Sequence, residues 1–316
     1  MPTITTSFGP IEALPGVELF PDGSVRSCRA ARACPLDTPI GTLVPQFNAN
    51  TLRKRQLPAI LFHPNGMIRN LPLEEQVMVP TPLGPLHAEL VTFHDSGELK
   101  RVFPLNGALN GYWTQEDELR LAAPMDLETP AGPVRAKFLS LYFGPRGSLR
   151  SLTLWPGQTI DVPSPLGSVT ARIGVSFFDS GAIRSLEPAT PWAVPTPVGE
   201  VLAWNPDAIG ISGDANSLLF RENGGLLGLV TSTNSFDVTL ENGRMRRVSP
   251  PLRRHPCDAD RMEAGPLALE FGGGTVAFAS SALPRLSVAS AGVTVTGFAP
   301  PLPSLSVSCA MGGVTW

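Results

Sequence analysis

One signature recurs six times along the chain: an apolar stretch ending in Phe, a tight turn closed by Gly, then an aliphatic residue followed, in five copies, by a basic one. The copies read LFPDGSVRSC (19–28), LFHPNGMIRNL (61–71), TFHDSGELKRV (92–102), YFGPRGSLRSL (142–152), SFFDSGAIRSL (176–186) and LFRENGGLLGL (219–229). Repetition on this scale constrains architecture first, because a short supersecondary unit buries its apolar face only against its neighbours. Ahead of each turn the apolar residues alternate, as in Ile60 and Phe62, Val91 and Phe93, Leu141 and Phe143, Val175 and Phe177. A period of two marks a strand with one buried face. Turns such as His-Pro-Asn-Gly place Pro or Asp where a type I turn favours them, and Gly where a left-handed residue closes a hairpin. After the Gly, apolar residues stand at the second and fifth places, as in Ile68 with Leu71 and Ile183 with Leu186. A spacing of three cannot keep both on one face of a regular strand, so a β-bulge or local twist is expected there.

A second turn falls between these units. It reads Thr38-Pro39-Ile40-Gly41, Thr81-Pro82-Leu83-Gly84, Thr129-Pro130-Ala131-Gly132, Ser164-Pro165-Leu166-Gly167 and Thr196-Pro197-Val198-Gly199. Pro presets φ for the second position of a type I β-turn, and alternating apolar residues flank each copy. With 34 Pro and 31 Gly breaking regular elements, helices have little room. The chain is therefore expected to be all-β: repeated antiparallel hairpins forming an extended meander sheet or a β-sandwich. The turn glycines Gly23, Gly66, Gly97, Gly147, Gly181 and Gly224 lie 31 to 50 residues apart, an irregularity that argues against a tight solenoid. One short helix is expected near 114–121, where Thr114 precedes a run of acids suited to a first helical turn. The spacing divides the chain into a repeat domain (1–242), an Arg- and Pro-rich linker (243–262) and a C-terminal β segment or cap (263–316).

The aromatic-then-Gly hairpins resemble the MORN-type repeat family over about 18–229, although the family's Tyr-x-Gly-x-x-x-x-Gly pattern is not written here. The resemblance implies an elongated antiparallel sheet serving as a non-catalytic scaffold, with no catalytic residues to transfer.

Charge sets the remaining expectations. A net charge of −3 and a pI near 5.8 give no global attraction to nucleic acid or to an anionic membrane. The first ten residues lack the basic and apolar regions of a secretory signal, no apolar run reaches the ~20 residues of a spanning helix, and four Cys are too few for a disulfide framework. The expected compartment is cytoplasmic. No nucleophile elbow, phosphate loop or dinucleotide fingerprint is present, and no cofactor is expected.

The candidate functional residues follow from this frame. Five of the six units place a basic residue three positions after the turn Gly, namely Arg26, Arg69, Lys100, Arg150 and Arg184. Hairpins stacked in register would align these charges for a protein or other anionic partner, while their stems could equally cover apolar sheet surface. Tyr112 and Trp113, in the segment that interrupts the repeat at 106–125, could form a binding lid or pack onto the sheet. The alternative is an enzyme or metal-dependent binder built on the loop 204–217. Asp207, Asp214 and Asn216 would there offer oxygen ligands, with Asp207, Asp214 and His94 as catalytic candidates. His63 and His94 hold equivalent places, each directly after a repeat Phe.

Overall fold

The computed structural model describes residues 1–209, 216–255, 257–279 and 281–300. The fold is all-β, with 53% of the described residues in strands and 2% helical, and its main element is an antiparallel meander sheet of 16 strands. Each repeat signature is a hairpin of that sheet, for example Ile60–Phe62 with Ile68–Val79, Phe138–Phe143 with Leu149–Leu154, and Gly167–Phe177 with Ile183–Pro188. In all six turns the residue three before the Gly accepts from the Gly N–H. It also donates to the carbonyl just after the Gly, at 2.7–3.0 Å, while the Gly itself has φ of 80–101°. This is the three-residue hairpin loop built on a type I turn with a left-handed third residue. In the first copy Leu19 takes the place of the repeat Phe. Phe20 there opens the turn, as His63 and His94 do in later copies.

The expected bulge is present. Register shifts by one residue after the turn in five hairpins: Phe62 pairs with Ile68 but Leu61 with Asn70, and Phe177 pairs with Ile183 but Ser176 with Ser185. The extra residue restores phase, so the aliphatic residues on either side of it both face the core. Strand to strand this produces a continuous apolar row. Leu71 pairs with Val91, which pairs with Val102, followed by Leu141, Leu152, Val175, Leu186 and Leu218, every one at most 1% exposed. Each such side chain contributes roughly 1.5–3 kcal/mol on burial.

The Thr-Pro-x-Gly turns cap two-stranded ribbons that leave the sheet plane, among them Leu36–Thr38 with Gly41–Leu43, Met125–Thr129 with Gly132–Ala136, and Trp192–Thr196 with Gly199–Ala203. In each turn the Thr or Ser hydroxyl donates to the Gly carbonyl at 2.6–2.7 Å and accepts the N–H two residues on. That bond explains the hydroxyl residue at the first position. It also reveals a further copy, Thr6-Ser7-Phe8-Gly9, which lacks the Pro. A Cβ added at Gly147 would lie 3.3 Å from Pro82, one at Gly181 3.2 Å from Pro130, and one at Gly224 3.4 Å from Pro165. Ribbon tips therefore reach the Gly-turn ends of later hairpins. Since these three ribbons start from the opposite end of the strands, they must run back along the sheet, adding a second layer there. Where the ribbon strand Gly167–Phe177 bends into the sheet, Ile173 takes φ of 65° and Gly174 comes so close that a Cβ would meet the Leu152 carbonyl at 2.4 Å.

The chain separates into two compact units, Met1–Ala189 with Ala208–Leu226, and Thr190–Asp207 with Leu227–Trp316. The helix, Gln115–Leu121, belongs to the first and starts at Thr114 with a reciprocal capping box to Asp117. In the second unit the segment expected as a linker (243–262) is folded. Asn234–Thr239 and Met245–Val248 form a seventh Gly-turn hairpin closed at Gly243, and Leu252–His255 pairs with Asp258–Ala264. Its arginines hid the strands: they sit at solvent-facing positions, where backbone pairing tolerates any charged side chain.

Candidate binding surfaces

The basic residues of the repeat occupy one structural position. Arg26, Arg69, Lys100, Arg150 and Arg184 are the extra residues of the five bulges. An unpaired bulge residue has no cross-strand partner, so a long charged side chain fits there without disturbing the core. The five differ in what they meet. Arg150 donates to Asp179 at 2.6 Å and is half-buried, and Arg184 is also engaged. Arg26 and Arg69 are exposed and Lys100 is half-buried. Among the described residues these three have no ion-pair partner. Beside them Arg101 lies over the ring of Tyr142, 4.8 Å from its centroid, a cation–π arrangement.

Polar side chains at the Gly turns bond from one hairpin to the next. His63 Nε2 donates to the Phe93 carbonyl at 3.1 Å, and His94 Nε2 to the Phe143 carbonyl at 2.9 Å. Asn65 reaches the Asp95 carbonyl, Arg146 and Ser148 reach Asp179, and Ser180 reaches Glu222. Hydrogen bonds from Ser148, Arg150 and Arg146 hold the Asp179 carboxyl down to about 2. The equivalence of the two histidines is thus a structural one, and His94 is a rung between hairpins.

The loop candidates are dispersed. Asp207 accepts a two-point ion pair from Arg253, which also donates to Glu263 at 2.6 Å. Asn216 is 3% exposed and donates to Ser185 Oγ at 2.9 Å. Asp207 belongs to the second unit and Asn216 to the first. Asp214 lies outside the described residues. Among the described residues no group of three or more His, Cys, Asp or Glu is placed to hold a metal ion.

The insertion meets a deeply buried charge cluster. Arg53 donates to Glu89 through Nη1 at 2.8 Å and Nη2 at 2.6 Å, and to Glu118 through Nε at 2.8 Å and Nη2 at 2.6 Å. Side-chain exposures are 13%, 7% and 3% for Arg53, Glu89 and Glu118. The Trp113 indole donates to Glu118 at 2.7 Å, and the Gly107 and Asn106 amides donate to Glu118 and Glu89. Burial alone would raise the Glu118 carboxyl, but the bonds from Arg53 and Trp113 outweigh it and hold it below the ordinary value. Trp113 is therefore part of the internal framework. Tyr112 stays 67% exposed, with the Arg55 guanidinium 4.2 Å from its ring centroid. The importance of Arg53 and Glu89 was not visible in the sequence, since 36 and 65 residues separate Arg53 from its two partners. The only cue was Glu118 within the expected helix.

No protein-family model, curated protein or solved structure matches this chain. Among the described residues no helix is long and apolar enough to cross a membrane.

Proposed function

We propose that this chain is a non-catalytic β-repeat scaffold that binds an acidic protein segment across its first three hairpins. The observation that carries this reading is the row Arg26, Arg69 and Lys100, placed on equivalent bulges of hairpins that neighbour one another in the sheet and free of ion pairs among the described residues. Successive bulges lie two strands apart, about 10 Å at the usual inter-strand spacing. An extended peptide advances about 3.3 Å per residue, so carboxylates at every third position match that pitch. Arg101 and Tyr142 flank the row and add a cationic and an aromatic surface. The resemblance to MORN-type repeats supports the same reading. So does the internal engagement of Asp207 and His94, the groups that an enzyme would need free.

The test is fluorescence anisotropy with a labelled peptide carrying Glu at every third position, separated by Gly and Ser. Binding is expected to weaken as salt rises from about 20 to about 300 mM, and to fall roughly tenfold or more in the triple variant Arg26→Gln, Arg69→Gln, Lys100→Gln. Unchanged affinity in the triple variant at low salt would remove the proposal.

A further inference from the structure

We infer that the cavity beside the helical insertion is a binding site for an uncharged, largely apolar small molecule. It is an open-mouthed cavity of about 310 Å³, lined by Phe103, Leu105, Leu139 and Trp155. That is roughly twice the ~150 Å³ that admits benzene, room for about a dozen non-hydrogen atoms. Leu109 lines the cavity and is also 57% exposed, which marks it as part of the mouth. Such a space, mostly apolar with a few polar groups at its margin, is the usual form of a small-molecule site.

The charge state of the ligand follows from the wall. Glu118 lines the cavity, yet both its oxygens are already satisfied. Oε1 accepts from Arg53 and Gly107, and Oε2 from Arg53 and Trp113. A buried ammonium would find no free carboxylate lone pair to offset its desolvation. The triad of one arginine and two carboxylates carries a formal charge of −1, so it repels a ligand carboxylate or phosphate. Neutral polar groups remain. Ser140, 2% exposed, and Asn106 both line the space. Trp155 is 5% exposed, and its indole N–H has no hydrogen-bond partner among the described residues. The triad also explains why the cavity persists, because it clamps the helix to the segments at 53 and 89 and keeps the wall rigid. None of the basic bulge residues lines this site, and it does not rest on the peptide-binding proposal.

The experiment is isothermal titration of the full chain with 2-naphthalenemethanol and, separately, with 2-naphthoate. The alcohol is expected to bind one-to-one, and the carboxylate roughly tenfold more weakly or worse. Leu109→Trp, at an exposed position, should plug the mouth and weaken the alcohol by a similar factor while leaving the circular dichroism spectrum unchanged. Ser140→Val provides a second variant, expected to weaken the alcohol by a smaller factor. Absence of saturable binding to the wild type, equal affinity for alcohol and carboxylate, or wild-type affinity in a folded Leu109→Trp protein would each overturn the inference.

Discussion

The regular hairpins and the helical insertion hold their polar groups in opposite ways. Between the hairpin turns the polar links are short and repeated: a His, Asn, Ser or Arg at one turn bonds the next turn, near solvent, and each link is replaceable. In the insertion a single arginine joins two carboxylates from distant parts of the chain, nearly sealed from water. The hairpins draw their stability from the apolar row and need the turn bonds only for alignment. The insertion has no repeat to lean on, and one charge cluster is its most buried polar tie to the rest of the chain. Periodic structure spreads risk over many weak bonds, whereas an interruption concentrates it.

The contrast can be broken at several points. Arg53→Ala should have the largest effect, about 3–5 kcal/mol in chemical denaturation, because it strands two buried carboxylates. A loss below about 1 kcal/mol would mean that water already reaches the cluster. Gly181→Val should cost about 1–3 kcal/mol through strain at its left-handed φ of 85°, with Pro130 pressing at 3.2 Å; an unchanged melting temperature would contradict the turn geometry. His94→Ala should cost only about 0.5–1.5 kcal/mol, the net worth of one hydrogen bond. A larger loss would show that the rungs are not interchangeable. Acid should separate the two regions in the same direction. Glu118 has a depressed pKa, so the stability it contributes is complete above its ordinary value of 4.5 and is lost as pH falls through the folded value. The Trp113 indole N–H resonance followed by NMR should shift below that pH before the hairpin amides lose protection; simultaneous loss would count against a locally held insertion.

How much of this was legible in the sequence depended on distance along the chain. The hairpins, their bulges and the capped helix are local patterns, and turn chemistry with period-two alternation exposed them. The ribbons were legible as turns but not as a second layer, because nothing in Thr-Pro-x-Gly tells which later hairpin the tip will meet. The seventh hairpin was hidden when arginines filled its exposed positions and Thr239 stood where five of the six earlier copies carry Phe. The basic residue of five units was visible, but which ones stay free was not: Asp179 is local to the next unit, and only the fold brings it to Arg150. The buried triad joins residues 53, 89 and 118, and no spacing rule connects them.

The most direct measurement compares two peptides of identical composition at low salt, one with Glu at every third residue and one with the same Glu residues clustered at one end. If the bulges of the first three hairpins stand in register at a pitch of about 10 Å, the spaced peptide binds several-fold more tightly. Its advantage then disappears in the Arg26→Gln, Arg69→Gln, Lys100→Gln protein but survives in Arg150→Gln, Arg184→Gln. Equal affinity for the two peptides, or a preference for the clustered one, would contradict the account.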